Sequence, residues 1–235
     1  MKIAVGTSGY AYKEWKGIFY PEDLKPDGFL AYYASKLSSV EINATFYRMP
    51  TEKTLLQWAS QVGNDFCFVL KAPQKITHRK RLKDCAEDWA YFTRTASCLG
   101  PRLGPTLVQL PPNLKLDLPR FQEFLALIPR TWRAAFEFRH ASWFDEAVYD
   151  ALRAHNLALC VAETDPGESE LRVPFVSTAD WGYLRLRKVT YSDAELRGWA
   201  EKVKQQAWKD AFVFFKHEDA GTGPRLAAQF EEMLA

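Results

Sequence analysis

What the sequence withholds narrows its class first. Only four cysteines occur in 235 residues, Cys67, Cys85, Cys98 and Cys160, and no C-x-x-C pair is among them. Their spacing suggests neither a disulfide frame nor a thiolate zinc site, and reduced thiols are expected. Excess charge is equally scarce: 31 basic against 29 acidic side chains leave a formal +2. That excludes nucleic-acid binding by bulk electrostatics and confines any basic patch to a local one. Long apolar runs are missing too. No stretch approaches a membrane span, and Met1-Lys2-Ile3-Ala4-Val5-Gly6 reads as a strand rather than a leader, which predicts a cytoplasmic protein with no membrane partner. There is no internal repeat, no G-x-G-x-x-G and no H-E-x-x-H. No cofactor is expected on that basis, with a divalent metal left open.

What is present is apolar surface, 47% hydrophobic and 14% aromatic residues, ample for one core spanning 1–235 as a single domain. Short β-type runs alternate with longer helical ones. The strands are expected at Ile3–Ser8, Val40–Thr45, Phe66–Lys71, Thr106–Leu110, Ala134–Arg139, Leu157–Ala162, Gly182–Arg187 and Ala211–Lys216. Helices are expected near Phe29–Leu37, Thr51–Val62, Cys85–Leu99, Leu118–Ile128, Phe144–Asn156, Asp193–Gln206 and Pro224–Leu234. The pattern predicts an α/β fold, a single-domain TIM-type (β/α)8 barrel of parallel strands, irregular between the sixth and seventh strands. An open doubly wound sheet is the alternative, and the missing glycine fingerprint leaves its dinucleotide form without support. Asp193 is placed as a helix cap, Pro224 in a first helical turn, and Gly100-Pro101 as a helix stop.

Side chains of a strand alternate between its faces, and in a barrel the outer face meets helices and must be apolar. Ile42 and Ala44 facing outward send Glu41, Asn43 and Thr45 inward; the same parity turns Glu137 and Arg139, then Tyr183, Arg185 and Arg187, toward the axis. Lys71 and Gln109 follow. Charges cannot be buried alone without a cost of several kcal/mol, so this set must form an internal Glu–Arg lattice or line a solvated site. Asn43, Thr45, Lys71, Arg139 and Arg187 fall at strand C-termini, where barrel enzymes keep their sites, and this favours a site.

The loops beyond those ends supply more candidates. Ser8-Gly9-Tyr10 with Trp15, Tyr47, His78, and His140 with Trp143 read as cleft walls suited to stacking on a ring. After strand eight, Lys216-His217-Glu218-Asp219 leads into Gly221, Gly223 and Arg225, a candidate anion seat at a helix start. The basic run His78–Lys83 reads as a solvated loop. His140, His217, Glu218, Asp219, Glu41 and Glu137 are metal-ligand types, but no H-x-x-x-H spacing joins them.

Several blocks in order along the whole chain resemble the YecE-like family, also called domain of unknown function 72. They are Gly6-Thr7-Ser8-Gly9-Tyr10 with Trp15, Val40-Glu41-Ile42-Asn43 with Thr45-Phe46-Tyr47, and Lys71-Ala72-Pro73 with Thr77-His78. Leu107-Val108-Gln109-Leu110-Pro111-Pro112 and Glu137-Phe138-Arg139-His140 with Trp143 complete the set. The resemblance implies a TIM-type barrel and no particular reaction. The sequence departs from the commoner family form at two strand ends, where Arg185-Leu186-Arg187-Lys188 and Lys216-His217-Glu218-Asp219 carry charge in place of an Arg-x-His-Gly stretch and paired asparagines.

The functional expectation is an enzyme using acid–base chemistry on a small anionic or sugar-like metabolite. Glu137, crowded by Glu41, is expected as general acid or base with its pKa raised, and His140 or His217 would carry a second proton. Lys71, Arg139 and Arg187 would hold the anion, oriented by Asn43 and Gln109, with Arg185 and Lys216 beside them. Two further readings stand beside it: a nucleotide or single-stranded nucleic-acid binder stacking bases on Tyr10, Tyr12, Trp15, Tyr47 and Trp143, and a metal-assisted hydrolase.

Overall fold

The computed structural model describes residues 1–167, 171–216 and 221–234. Each strand-forming run of the sequence becomes a strand: β1 Lys2–Ser8, β2 Ser39–Ile42, β3 Cys67–Lys71, β4 Leu103–Gln109, β5 Ala134–Glu137, β6 Ala158–Glu163, β7 Trp181–Leu186 and β8 Asp210–Phe215. All neighbours pair in parallel and β8 returns to β1, closing a barrel in chain order. Closure leaves no strand edge unpaired, and helices cover the outside.

The helices are α1 Phe29–Ala34, α2 Ala44–Tyr47, α3 Glu52–Ala59, α4 Ala86–Ala96, α5 Leu118–Ala126, α6 Glu146–Ala154, α7 Asp193–Lys204 and α8 Thr222–Leu234. Four start on a side-chain cap. Thr51, Asp117 and Asp145 each accept a backbone N–H at the head of α3, α5 and α6. The cap of α7 sits one residue earlier than expected: Ser192 accepts from Glu195 N while Glu195 reaches back, a reciprocal capping box, and Asp193 is the first helical residue. Pro224 lies in the first turn of α8, and Gly100 stops the helical path after α4 with φ of 56°. Between β6 and β7 no helix or strand occurs among the described residues, matching the irregular connection expected there.

The strand alternation divides the core in two. Outward-facing Val5, Val40, Phe68, Val108, Phe136 and Leu184 pack with the helices, whereas Ala4, Val69, Leu107, Ala135, Cys160, Tyr183, Phe212 and Phe214 fill the barrel interior. One predicted stretch departs from this alternation. β2 ends at Ile42, Asn43 turns into the helical region, and Thr45 sits inside α2. The Thr45 hydroxyl donates to the carbonyls of Lys71 (2.7 Å) and Ile42 (3.1 Å), stitching this turn to the end of β3. Strand parity therefore does not place Asn43 and Thr45, and the Thr45 hydroxyl is committed to backbone rather than to a ligand.

Two cavities lie away from the strand C-termini. One of about 610 Å³ opens at the opposite end of the barrel, around Lys2, Cys67, Gly104, Arg133 and Asp210. In barrels that end serves stability, and here Arg133 pairs with Asp210 at 2.7 Å. The other is an outer groove between the loop after β1 and α8, described below.

Candidate functional site

Register puts the polar side chains at one height. Ser8 pairs with Glu41 across β1 and β2, Gln109 with Glu137 across β4 and β5, and Ala162 with Arg185 across β6 and β7. Arg185 crosses the interior between the two carboxylates. Its Nη1 donates to Glu137 Oε2 at 2.5 Å and its Nη2 to Glu41 Oε1 at 2.7 Å, with Ser8 Oγ at 3.5 Å. Tyr183 donates its hydroxyl to the other oxygen of Glu41 (2.6 Å), and Gln109 Nε2 donates to Glu137 Oε1 (2.8 Å). Glu41 is fully buried and Glu137 is 2% exposed. Such charges persist in the interior only because each carboxylate oxygen has a donor. The lower tier is thus the internal Glu–Arg lattice.

Above it the cluster opens. Arg139 Nε lies 3.5 Å from Glu137 Oε1 with its side chain 35% exposed, and Arg187 Nη1 lies 3.9 Å from the same oxygen. Lys71, 8% exposed, ends β3 with its ammonium 4.1 Å from the centre of the Phe46 ring on α2. His78 meets the same ring edge-on, centroids 4.9 Å apart, and its Nδ1 is 2.8 Å from Thr77 Oγ1. His78 sits on a π-helical turn, Lys75–Arg79, a conformation that is rare and frequent at functional sites. Arg81, Leu82 and Asp84 immediately after it all have positive φ, a local strain of the kind that clusters at such sites. Asp88 holds the basic run in place through Lys75 (2.7 Å) and Lys80 (2.8 Å).

The electrostatics reverse one expectation. Burial pushes the Glu137 carboxyl up, but Arg185, Arg139, Arg187 and Lys71 together outweigh it and hold the pKa down to about 2. The expected upward shift rested on a neighbouring carboxylate, and Arg185 interposed between Glu137 and Glu41, with the other cations beside Glu137, cancels it. Glu137 is a fixed negative charge at working pH. Burial opposes the charge on Arg185, and Glu41 and Glu137 overcome it, so its pKa lies well above the ordinary value. The groups that move toward neutrality are others. Burial, helped by Arg185 and Arg139 against Glu137 and Glu41, lowers Lys71 to about 8. Burial, Lys71, Arg139 and Arg81 lower His78 to about 4, so its imidazole is neutral.

The remaining sequence candidates separate. Asn43 and Lys216 are half-buried at the C-terminal ends of β2 and β8. His140 Nδ1 accepts from Ser142 N (3.1 Å), which caps the short turn carrying Trp143. Trp15 and Trp143 leave the cleft: both are buried in the aromatic core, Trp143 stacked on Phe138 at 4.7 Å and donating to Leu114 O. Tyr10 is half-buried against Tyr33, and Tyr47 is 73% exposed. Loop aromatics carry no periodicity that separates wall from core. Of the expected anion seat, Gly223 is buried in the first turn of α8. Gly221 packs under Ile18, and Arg225 donates to Gln229 on its own helix, lining the outer groove with Ile18, Tyr32 and Lys36. His217, Glu218 and Asp219 lie outside the described residues. Among the described residues, no group of three His, Cys, Asp or Glu side chains converges as a metal site requires.

Two contributors were in view in the sequence without the contacts they make. Tyr183 was visible on the inner face, but its bond to Glu41 needed the barrel's closure; Phe46, the platform under Lys71, lies on a four-residue helix too short to signal itself.

The fold and cluster together define a TIM-type (β/α)8 barrel with a charged site at the C-terminal ends of its strands. The chain belongs to the family described as "Protein of unknown function DUF72", whose profile matches residues 4–235. It is 34% identical over 113 residues to the UPF0759 protein YecE of Escherichia coli K12, a match spanning 48% of this chain and less than half, 42%, of that relative. It is 24% identical to the UPF0759 protein YunF of Bacillus subtilis, over 99% of this chain and 94% of the other. The crystal structure of a DUF72 family protein from Thermotoga maritima superposes with a TM-score of 0.88 at 31% identity, covering 100% of this chain and 99% of that one. A DUF72 family protein from Enterococcus faecalis, 19% identical with a TM-score of 0.77 over 99% and 97% of the two chains, shares the fold. No helix among the described residues is long and apolar enough to cross a membrane.

Proposed function

We propose that the protein is a cytoplasmic enzyme that binds a small anionic or sugar-like metabolite at the C-terminal mouth of the barrel. The observation that carries this reading is the excess of cations over carboxylates in a graded site. Around Glu41 and Glu137 stand Arg185, Arg187, Arg139 and Lys71, two more positive than negative side chains among the described residues, with Arg139 reaching solvent. Arg185 is consumed by the lattice. Arg139 lies 3.5 Å from Glu137 with its side chain 35% exposed, presenting a planar donor fork at the mouth to a carboxylate or phosphate. Glu137 acts as the counter-charge that holds those arginines, and Gln109 orients it. Proton transfer falls to Lys71, whose pKa is lowered to about 8, with the neutral imidazole of His78 as a proton acceptor beside it, rather than to Glu137.

Thermal unfolding in the presence of phosphate esters and sugar acids tests the reading, because a ligand of the native state raises the melting temperature. A saturable rise is expected in the wild type and its loss in Arg139→Gln. No response to any anion at millimolar concentration would remove the reading.

A further inference from the structure

We propose that Lys71 is a carbonyl-capturing lysine, condensing through its side-chain amine with a small aldehyde or ketone that carries a carboxylate or phosphate. The inference rests on the mouth being an anion site and adds to it the reacting group of the substrate.

Among the four cations of the cluster, three are arginines, which stay charged at any working pH and cannot act as nucleophiles. Lys71 differs in kind and in setting. It is nearly buried at the C-terminal end of β3, and among the described residues its ammonium makes no ion pair within 4.0 Å. The face of Phe46 carries it instead. Arg185 on β7 holds both buried carboxylates, so the charged groups surrounding Lys71 are the cations Arg185 and Arg139 and the carboxylates Glu137 and Glu41, with His78 packed against the same Phe46 ring. Burial with that surrounding field takes the amine from 10.5 to about 8, which raises its neutral fraction at neutral pH by roughly two orders of magnitude.

The chemistry closes with groups on the page. The Nζ lone pair forms a bond to the carbonyl carbon, and the C=O π pair moves to oxygen, which takes up a proton from solvent at the mouth. Neutral His78, packed against the same Phe46 ring, accepts the proton shed by the attacking nitrogen and returns it to the hydroxyl, which leaves as water. One water is released, a C=N bond replaces C=O, and nothing is oxidised or reduced. The product is a protonated iminium on Lys71, with Arg139 holding the substrate's anionic end.

The test is borohydride trapping on the wild-type protein followed by peptide mapping. Glyoxylate and pyruvate serve as carboxylate-bearing probes, glycolaldehyde phosphate as the phosphate-bearing one, and propionaldehyde as the neutral control. Lys71 is expected to be alkylated about tenfold or more ahead of the exposed Lys209, with a pH midpoint near 8 rather than 10.5. Which anionic probe leads identifies the substrate's charged group. Arg139→Gln is expected to slow trapping of the anionic probes by a larger factor than that of propionaldehyde, whose smaller loss reports the return of the Lys71 pKa toward 10.5. Modification distributed over exposed lysines with Lys71 spared overturns the proposal; if phosphate or malonate still raises the melting temperature in that case, the anion site survives without it. Equal trapping of propionaldehyde and the charged probes, with no anion raising the melting temperature, removes both the anion site and the proposed substrate class.

Discussion

The interior of this barrel has two halves built on the same strands and separated by two residues. Val69, Leu107, Ala135 and Tyr183 lie in the apolar half; Lys71, Gln109, Glu137 and Arg185 follow them at the next inward position. In the lower half each buried Leu or Phe contributes about 1.5–3 kcal/mol through removal from water. In the upper half desolvation and Coulomb attraction nearly cancel, and a buried ion pair is weak ground for stability. The comparison teaches that one alternation rule can build a packed plug and, one step higher, a polar chamber whose composition answers to something other than folding.

The sharpest way to break this comparison is to remove the group that makes the upper half tolerable. Arg185→Met is expected to destabilise by about 3–5 kcal/mol, read from denaturant midpoints, because it strands Glu41 and Glu137 without their shared donor. A loss below 1 kcal/mol would mean that water already reaches the lattice. Leu107→Ala in the lower half should cost about 2–5 kcal/mol by leaving a cavity, with a cost independent of salt and pH. A strong pH dependence of that cost would show that the halves are not separate. The smallest effect is the wild type's own acid response. Glu137 and His78 both have native pKa values below their ordinary ones, so the unfolded chain takes up protons first and stability falls with pH. The His78 contribution is complete above pH 6.5 and lost by about pH 4; that of Glu137 is complete above 4.5 and lost by about pH 2. Melting temperatures across this range should show both phases, and His78→Gln should flatten only the upper one.

The barrel was legible because its signal is repetitive: eight apolar runs each bury one face, and any that failed would leave polar backbone facing a core. Inward placement of Glu41, Lys71, Gln109, Glu137 and Arg185 followed from the same alternation. Placement failed where no ladder constrains the chain. Thr45 belongs to a helix after the strand, Trp15 and Trp143 fold back into the core, and Arg225 turns along α8. The charge state of Glu137 failed for a different reason. Which charge lies nearest is decided by side chains from four strands, and sequence order holds no distances: Arg185, 48 positions away, sits at 2.5 Å.

The guanidinium of Arg185 behaves as a crossbeam between β2 and β5, strands on different sides of the cylinder. A frame braced across its width keeps its shape when the material around its rim is exchanged. The loops above can therefore vary in length and sequence while the chamber beneath them keeps its dimensions.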